Sequence, residues 1–250
     1  LYCLPGNAGI QQVAQCEPID VTDHHAVIEF CNAHDIGLVV IGPESPLVDG
    51  LADSLRADGI LTFGPSAAAA QIEGSKAFMK DLLAKYDIPT AFYGRFTDAD
   101  AACAYIEEKG APIVIKTDGL AAGKGVIIAE TIEEAKATAR TMLSGEAFGD
   151  AGREIVVEEF LVGEEVSYFG LAHGAEVIPL TSAQDHKAVG DGDTGPNTGG
   201  MGAYSPAHCV DPAMEQMIID QTIQKLADAC VSEGHPFEGV IFVGLMLTDK

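Results

Sequence analysis

Lys116 and Lys124 stand among glycines and apolar residues in a chain with few cations. Lysine and arginine number 14 against 38 aspartates and glutamates, a net charge of −24. Lys116 and Lys124 bracket most of the run Asp118-Gly-Leu-Ala-Ala-Gly-Lys-Gly125. Glycines such as Gly119, Gly123 and Gly125 let backbone N–H groups come close to oxyanions, and successive amides form an anion-holding nest. With two ammonium groups added, the chemistry indicated is phosphate binding. The run is not a Walker A loop. That motif needs four residues between its glycines and a hydroxyl after the lysine. Here only three residues separate Gly119 from Gly123, and Gly125 stands at the hydroxyl position. A Walker loop also opens a helix, whereas this one leads into the apolar run Val126-Ile-Ile-Ala129. The pattern predicts a strand–loop–strand hairpin that could close as a lid over a triphosphate. From these residues alone, an ordinary hairpin with solvated lysines stays open.

A second candidate is Glu158-Glu-Phe-Leu-Val-Gly-Glu-Glu165. Phe160, Leu161 and Val162 could frame a flat base, and Glu165 could accept hydrogen bonds from ribose hydroxyls. Acidic turns are common in so acidic a chain, so an incidental turn also fits. The third is the stretch from Ala183 to Gly202. It combines Asp185, His186, Lys187, Asp191, Asp193 and Asn197 with Thr198, Gly199, Gly200, Met201 and Gly202. Residues 182–206 read as a long glycine- and proline-rich loop, and loops beyond about fifteen residues are usually functional or disordered. His186 could serve as a base or a metal ligand. Beside Asp and Lys it is more often a hydrogen-bonding anchor, and metal-ligand spacing is absent.

The elements that must position these residues follow from apolar periodicity. Up to about residue 75, short apolar runs alternate with amphipathic stretches. Gly37-Leu-Val-Val-Ile-Gly42 and Ile60-Leu-Thr-Phe-Gly64 read as buried strands. Val27, Ile28 and Cys31 share one helical face; Val48, Leu51, Ala52 and Leu55 share another. This rhythm predicts an open parallel sheet. Its strand-end loops, Pro5–Gly9 and Gly42–Pro46, then lie where such sheets bind ligands. A helix is predicted from Ser75 to Tyr86. Strands are predicted at 111–116, 126–129, 154–158, 165–171 and 240–247. Thr131 with Glu134 forms a capping-box pattern. A helix over 211–233 turns Met214, Met217, Ile218, Leu226 and Cys230 inward. The best domain break falls near residues 75–80.

Apolar residues make up 47% of the chain, a globular composition. The acidic excess argues against a nucleic-acid partner. No apolar stretch reaches the length of a membrane span. Six cysteines without zinc or redox spacing suggest reduced thiols in a cytoplasmic protein.

Taken in order, the glycine hairpin, the acidic strand and the loop Gln184-Asp-His-Lys187 with Pro196-Asn-Thr-Gly-Gly-Met-Gly202 resemble one family. It is the glycinamide ribonucleotide synthetases, or phosphoribosylamine–glycine ligases, of the ATP-grasp superfamily. The resemblance extends to Pro5-Gly-Asn-Ala-Gly9, Gly42-Pro-Glu-Ser-Pro-Leu47, Ser75-Lys-Ala-Phe-Met-Lys80 and Ile115–Val126. It implies an α/β chain. A Rossmann-like, pre-ATP-grasp parallel-sheet domain (1–76) binds phosphoribosylamine. An ATP-grasp domain (77–250) follows, with its hairpin-lid subdomain at about 111–180. The implied reaction joins glycine to 5-phospho-β-D-ribosylamine through glycyl phosphate. It uses ATP with Mg2+ or Mn2+ and belongs to purine biosynthesis. Lys76, Lys116, Gly119, Gly123, Lys124 and Gly125 would hold the phosphates. Glu158, Phe160 and Leu161 would frame the adenine, and Glu165 the ribose. Asp185, His186, Lys187, Asn197, Thr198, Gly199, Gly200, Met201 and Gly202 would bind glycine and part of the ribosylamine. Gly6, Asn7, Gly9, Gly42, Pro43 and Glu44 would contact the phosphoribosyl end.

The family also carries a preceding strand and phosphate loop, a metal-ligating Glu/Asn strand and a C-terminal domain. On the resemblance, those lie outside residues 1–250. The chain is expected to be a fragment, inactive alone, with its metal ligands beyond Lys250. Two other readings remain: another ATP-grasp ligase, which would have no use for the Gln184–Lys187 and Pro196–Gly202 motifs, and a non-catalytic ATP-binding module.

Overall fold

The computed structural model describes residues 1–118, 125–145, 153–192 and 194–248. Near the start, β1 (Tyr2–Cys3) lies parallel to β2 (Gln15–Cys16), and β3 (Val39–Val40) lies parallel to β4 (Thr62–Phe63). The parallel pairing follows the βαβ rhythm, but as two separate two-stranded ladders rather than one continuous sheet. Helix α1 (His24–Ala33) is capped by Asp23, whose carboxylate accepts the Ala26 amide at 3.0 Å. The helix expected across 48–55 is split at Gly50 into α2 (Glu44–Asp49) and α3 (Leu51–Ala57). Gly50 has a φ of 93°, a left-handed conformation that closes one helix and opens the next. Glu44 therefore starts a helix, where its charge suits the N-terminal dipole, instead of lying in the expected Gly42–Pro46 loop. Val27, Cys31, Ile41, Leu51, Ala52, Leu55 and Ile60 form the core of this part.

Helix α4 (Ala67–Gly74) runs almost directly into α5 (Lys76–Lys85). Extended Ser75 separates them, and its hydroxyl accepts the Phe78 amide at 3.0 Å.

The second sheet has the order β5 (Tyr93–Phe96), β8 (Ile155–Glu159), β6 (Ile113–Thr117), β7 (Val126–Ala129), each pair antiparallel. Strand alternation divides its residues between two faces. Ile113, Ile115, Ile155 and Val157 pack with Ile106, Ala135, Ala139 and Met142 of α6 (Ala99–Lys109) and α7 (Ile132–Leu143). Each buried isoleucine contributes roughly 2–3 kcal/mol. Thr131 accepts the Glu134 amide as the capping pattern predicts, and the Glu134 carboxylate reaches back to the amide of Glu130. The other face carries Lys116 and Glu158.

The third sheet is antiparallel, in the order β11 (Thr194–Tyr204), β10 (Glu176–Gly190), β9 (Glu164–His173), β12 (Glu238–Leu247). Tyr168, Ile223, Phe237 and Ile241 centre its core against α8 (Pro212–Ile218) and α9 (Gln224–Ser232), and Leu82 of α5 joins them. Two expectations need correction here. Residues 182–206 are largely a β-hairpin, not a loop. Its glycines, proline and two register shifts, between His186 and Ala188 and between Ala188 and Gly190, obscure the period-two pattern. The predicted 211–233 helix contains a π turn at Ile219–Ile223. Met214, Ile218 and Thr222 follow one i+4 row, and the wide turn then brings Ile223 inward. Met217 is left on the flank, 51% exposed.

Candidate functional site

Register on the second sheet builds the centre of the site. Val114 lies opposite Glu158 and Lys116 opposite Val156, so Lys116 and Glu158 are diagonal neighbours on one face. Lys116 Nζ donates to Glu158 Oε2 at 2.9 Å. A second ammonium converges on the same oxygen: Lys80 Nζ, from α5, lies 3.2 Å from it. Lys80 also donates to Thr90 Oγ1 at 2.7 Å and sits 5.8 Å from the centre of the Tyr93 ring. Burial pulls the Lys80 ammonium below its ordinary range, against the opposing pull of Glu158. The Glu158 side chain is only 6% exposed, and its Oε1 is buried without a hydrogen-bond partner among the described residues. A buried acceptor left open is costly, which makes Oε1 a candidate for a donor that the described residues do not supply.

The root of the glycine run is tied to helix α5. Asp118 accepts the Ser75 hydroxyl at 3.0 Å and the Ala77 amide at 3.0 Å, while its own amide donates to the Glu154 carbonyl at 2.9 Å. Lys76, between Ser75 and Ala77, thus starts a helix anchored to the hairpin. Gly125 returns to the sheet, its carbonyl accepting the Thr117 amide at 2.8 Å. Gly119, Gly123 and Lys124, and Asp193 of the later segment, lie outside the described residues.

Phe160 and Leu161 are half-buried in the link between β8 and β9, and Val162 is exposed. At Gly163 that link passes so close to β12 that a Cβ would come within 2.0 Å of the Leu247 carbonyl oxygen. The chain then reaches Glu165, whose carboxylate is bonded by Lys187 of β10. Gln184 Nε2 donates to the Glu165 carbonyl at 3.1 Å, and Asp185 lies 3.7 Å from Lys187. A proposed ribose residue and a proposed substrate residue therefore meet directly. Burial draws the Lys187 ammonium down, but Glu165 and Asp185 outweigh it and hold it above its ordinary value. Thr198 donates to the Lys187 carbonyl at 2.9 Å and accepts the Gly200 amide at 3.0 Å. His186 faces Tyr204, their rings 5.9 Å apart, and Tyr204 stacks on His208 at 5.1 Å. Asn197 pairs across the hairpin with Ala188, and Met201 projects outward. Gly199 and Gly202 leave open space where a side chain would stand, as does Gly200.

The N-terminal candidates form a tight local turn. Asn7 Oδ1 accepts the amides of Gly9 and Ile10, each at 3.0 Å, and Gly6 has a φ of 76°. Gly42 and Pro43 lead into α2 ahead of Glu44. A groove of about 610 Å3 opens elsewhere, lined by residues including Arg56, Phe63, His173, Ile178 and Glu238, none of them a site candidate in the sequence.

Sequence reasoning missed Lys80, Thr90 and the anchoring role of Asp118. Lys80 had a signal available: it sits three residues after Ala77 on the buried side of α5, in a chain with only 14 cations.

Two family descriptions cover the chain: "Phosphoribosylglycinamide synthetase, N domain" over residues 1–73 and "Phosphoribosylglycinamide synthetase, ATP-grasp (A) domain" over residues 74–250. A phosphoribosylamine–glycine ligase of Mesorhizobium japonicum is 56% identical over 250 residues, covering 100% of this chain and 59% of the relative. The chloroplastic ligase of Arabidopsis thaliana is 57% identical over 253 residues, covering 100% of this chain and 48% of its own length. The crystal structure of phosphoribosylamine–glycine ligase from Thermotoga maritima matches with a TM-score of 0.82 at 30% identity, over 99% of this chain and 59% of that one. The ADP complex of an N5-carboxyaminoimidazole ribonucleotide synthetase shares the fold, with a TM-score of 0.73 at 18% identity over 99% of this chain and 60% of that one. The chain thus spans less than two thirds of the length of these proteins.

Proposed function

Because the chain belongs to the phosphoribosylglycinamide synthetase family of ATP-grasp ligases, we propose that its residues serve the ATP-dependent ligation of glycine to 5-phospho-β-D-ribosylamine. The reaction gives glycinamide ribonucleotide, ADP and phosphate by way of glycyl phosphate, a step of purine biosynthesis. The observation that carries the reading is the face of Lys116, Lys80 and Glu158, with one carboxylate oxygen buried and unpartnered among the described residues. An adenine amino group is a donor of the kind that Glu158 Oε1 lacks, with Phe160 and Leu161 beside it as the apolar frame. Lys116, Lys76, Lys124 and the amides of Gly119, Gly123 and Gly125 suit the phosphates, and Glu165 the ribose.

When bound, ATP supplies the phosphoryl group that activates the glycine carboxylate. This chain's part is to hold cations where charge develops and to align the acceptor. Asp185, His186, Lys187, Asn197 and Thr198–Gly202 line the hairpin assigned to glycine and the ribosylamine. Gly6, Asn7, Gly9, Gly42, Pro43 and Glu44 are assigned to the phosphoribosyl end. Mg2+ or Mn2+ would enter with the triphosphate. Among the described residues no group of three His, Cys, Asp or Glu is placed to hold it. We set the reaction in the cytoplasm, supported by free thiols at Cys31, Cys103 and Cys230 that are buried and unpaired.

ADP formation by the whole natural protein should require glycine and 5-phosphoribosylamine together. ADP release with another acid or amine, and none with this pair, would overturn the assignment.

A further inference from the structure

Two lysines share one oxygen of Glu158, and they differ in reach. The Lys116 side chain is 27% exposed and lies at the end of β6 leading to the glycine run. The Lys80 side chain is 4% exposed and is held from three sides, by Glu158, the Thr90 hydroxyl and the Tyr93 ring. Lys116 can turn to a ligand; Lys80 is fixed beneath it.

This difference matters because Glu158 and a phosphate compete for the same ammonium. A carboxylate buried to this degree cannot be left uncompensated, since removing one partner of a buried pair costs about 3–5 kcal/mol. If Lys116 were its sole partner, drawing Lys116 to an oxyanion would strand the carboxylate. With Lys80 in place the carboxylate keeps an ion pair, and its open Oε1 keeps its orientation on the sheet face.

We propose that Lys80 is a positioning residue: it is the resident counter-ion of Glu158 that frees Lys116 to bind the nucleotide phosphates. The inference rests on the nucleotide reading above, and it adds a role for a residue that does not itself reach the nucleotide. It also explains why a lysine occupies a buried place on α5, where an apolar residue would be the cheaper occupant.

The test is a double-mutant cycle on the whole natural protein, read as the dissociation constant for a magnesium complex of a non-hydrolysable ATP analogue. Lys80→Met should weaken binding about tenfold, because Lys116 is then the counter-ion left to Glu158 and is held back from the phosphates. In a Glu158→Gln background nothing competes for Lys116. There Lys80→Met should shift the constant by less than about threefold. A purely structural lysine would weaken binding equally in both backgrounds, and that result would overturn the proposal. So would unchanged affinity in the single variant. Should Lys80→Met alone fail to fold, the double variant removes both charges of the pair and is compared with Glu158→Gln. Similar affinities support the proposal, and a further loss of about tenfold overturns it. Failure of the unmodified protein to bind the analogue would instead sink the ligase reading.

Discussion

The carboxylate of Asp118 accepts hydrogen bonds from the Ser75 hydroxyl and the Ala77 amide, each at 3.0 Å, so the first residue of the glycine run caps the helix that begins with Lys76. A cap placed 41 residues away in sequence couples two phosphate-binding candidates that the chain separates. Replacing a capping acceptor costs about 1 kcal/mol. Asp118→Ala should lower the urea unfolding free energy by that amount and also weaken binding of the magnesium–ATP analogue several-fold. Asp98→Ala is the control, because Asp98 caps α6 through the Ala101 amide at 2.8 Å and, among the described residues, has no hydrogen bond to a candidate residue. Equal losses of affinity in the two variants would reduce the Asp118 effect to general destabilisation.

Gly163 marks where the β8–β9 link crosses the end of β12. A Cβ there would stand 2.0 Å from the Leu247 carbonyl oxygen, and backbone cannot yield as a flexible side chain does. Gly163→Ala should destabilise by about 1–3 kcal/mol, the usual cost of overpacking, and should displace the Phe160–Leu161 segment. Gly37→Ala meets nothing within 4 Å and serves as the neutral comparison. Denaturant unfolding of the two variants side by side decides the point; matched midpoints would show that the link moves aside freely.

Much of this was legible in the residues. The apolar run Ile113–Ile115 and the run Ile155–Val157 each declare a strand, and the lysine and carboxylate that follow fall on the same face through pairing register. What could not be read was the partner from another element. Nothing local in Ser75-Lys-Ala-Phe-Met-Lys80 says that its last lysine meets Glu158, 78 residues on by the numbering of their contact, because that contact depends on how α5 lies across the sheet. The 183–204 hairpin was hidden for a different reason. Its glycines lower strand propensity, and its bulges break the alternation by which a strand is recognised. Met217 was misplaced because, in the regular helix ahead of the π turn, it stands on the flank of the inward row that Met214 and Ile218 follow.

Lys187 and Glu165 form an ion pair whose side chains are 40% and 46% exposed. Pairs in such water-accessible settings contribute about 0–1 kcal/mol. Lys187→Met should therefore leave the unfolding free energy almost unchanged. As a cation in the hairpin that we propose for glycine it matters more to the chemistry, where loss of one positioned donor costs about a hundredfold. Glycine-dependent ADP formation by the whole protein should fall on that scale. A variant that unfolds readily yet keeps its rate would assign Lys187 to structure alone.

Glu233 offers a test in which charge can be separated from packing. Its Oε1 accepts from Lys85 Nζ and from the Tyr86 hydroxyl, each at 2.5 Å. The Lys85 bond first, and the Tyr86 bond after it, hold the Glu233 carboxyl below its ordinary 4.5. In return Glu233 holds the Lys85 ammonium above its ordinary 10.5 and the Tyr86 hydroxyl above its ordinary 10.0. A depressed carboxyl stabilises the fold above its unfolded value, and that contribution disappears as pH falls through the folded value. A raised lysine or tyrosine works the other way, contributing fully below its unfolded value and losing that contribution as pH rises through the folded one. The stability difference between the unmodified protein and Glu233→Gln should thus form a plateau from about pH 5 to about pH 10 and shrink at both ends. Urea midpoints of the two proteins across this range supply the measurement. A difference that stayed constant into acid and alkali would assign the effect to shape rather than charge.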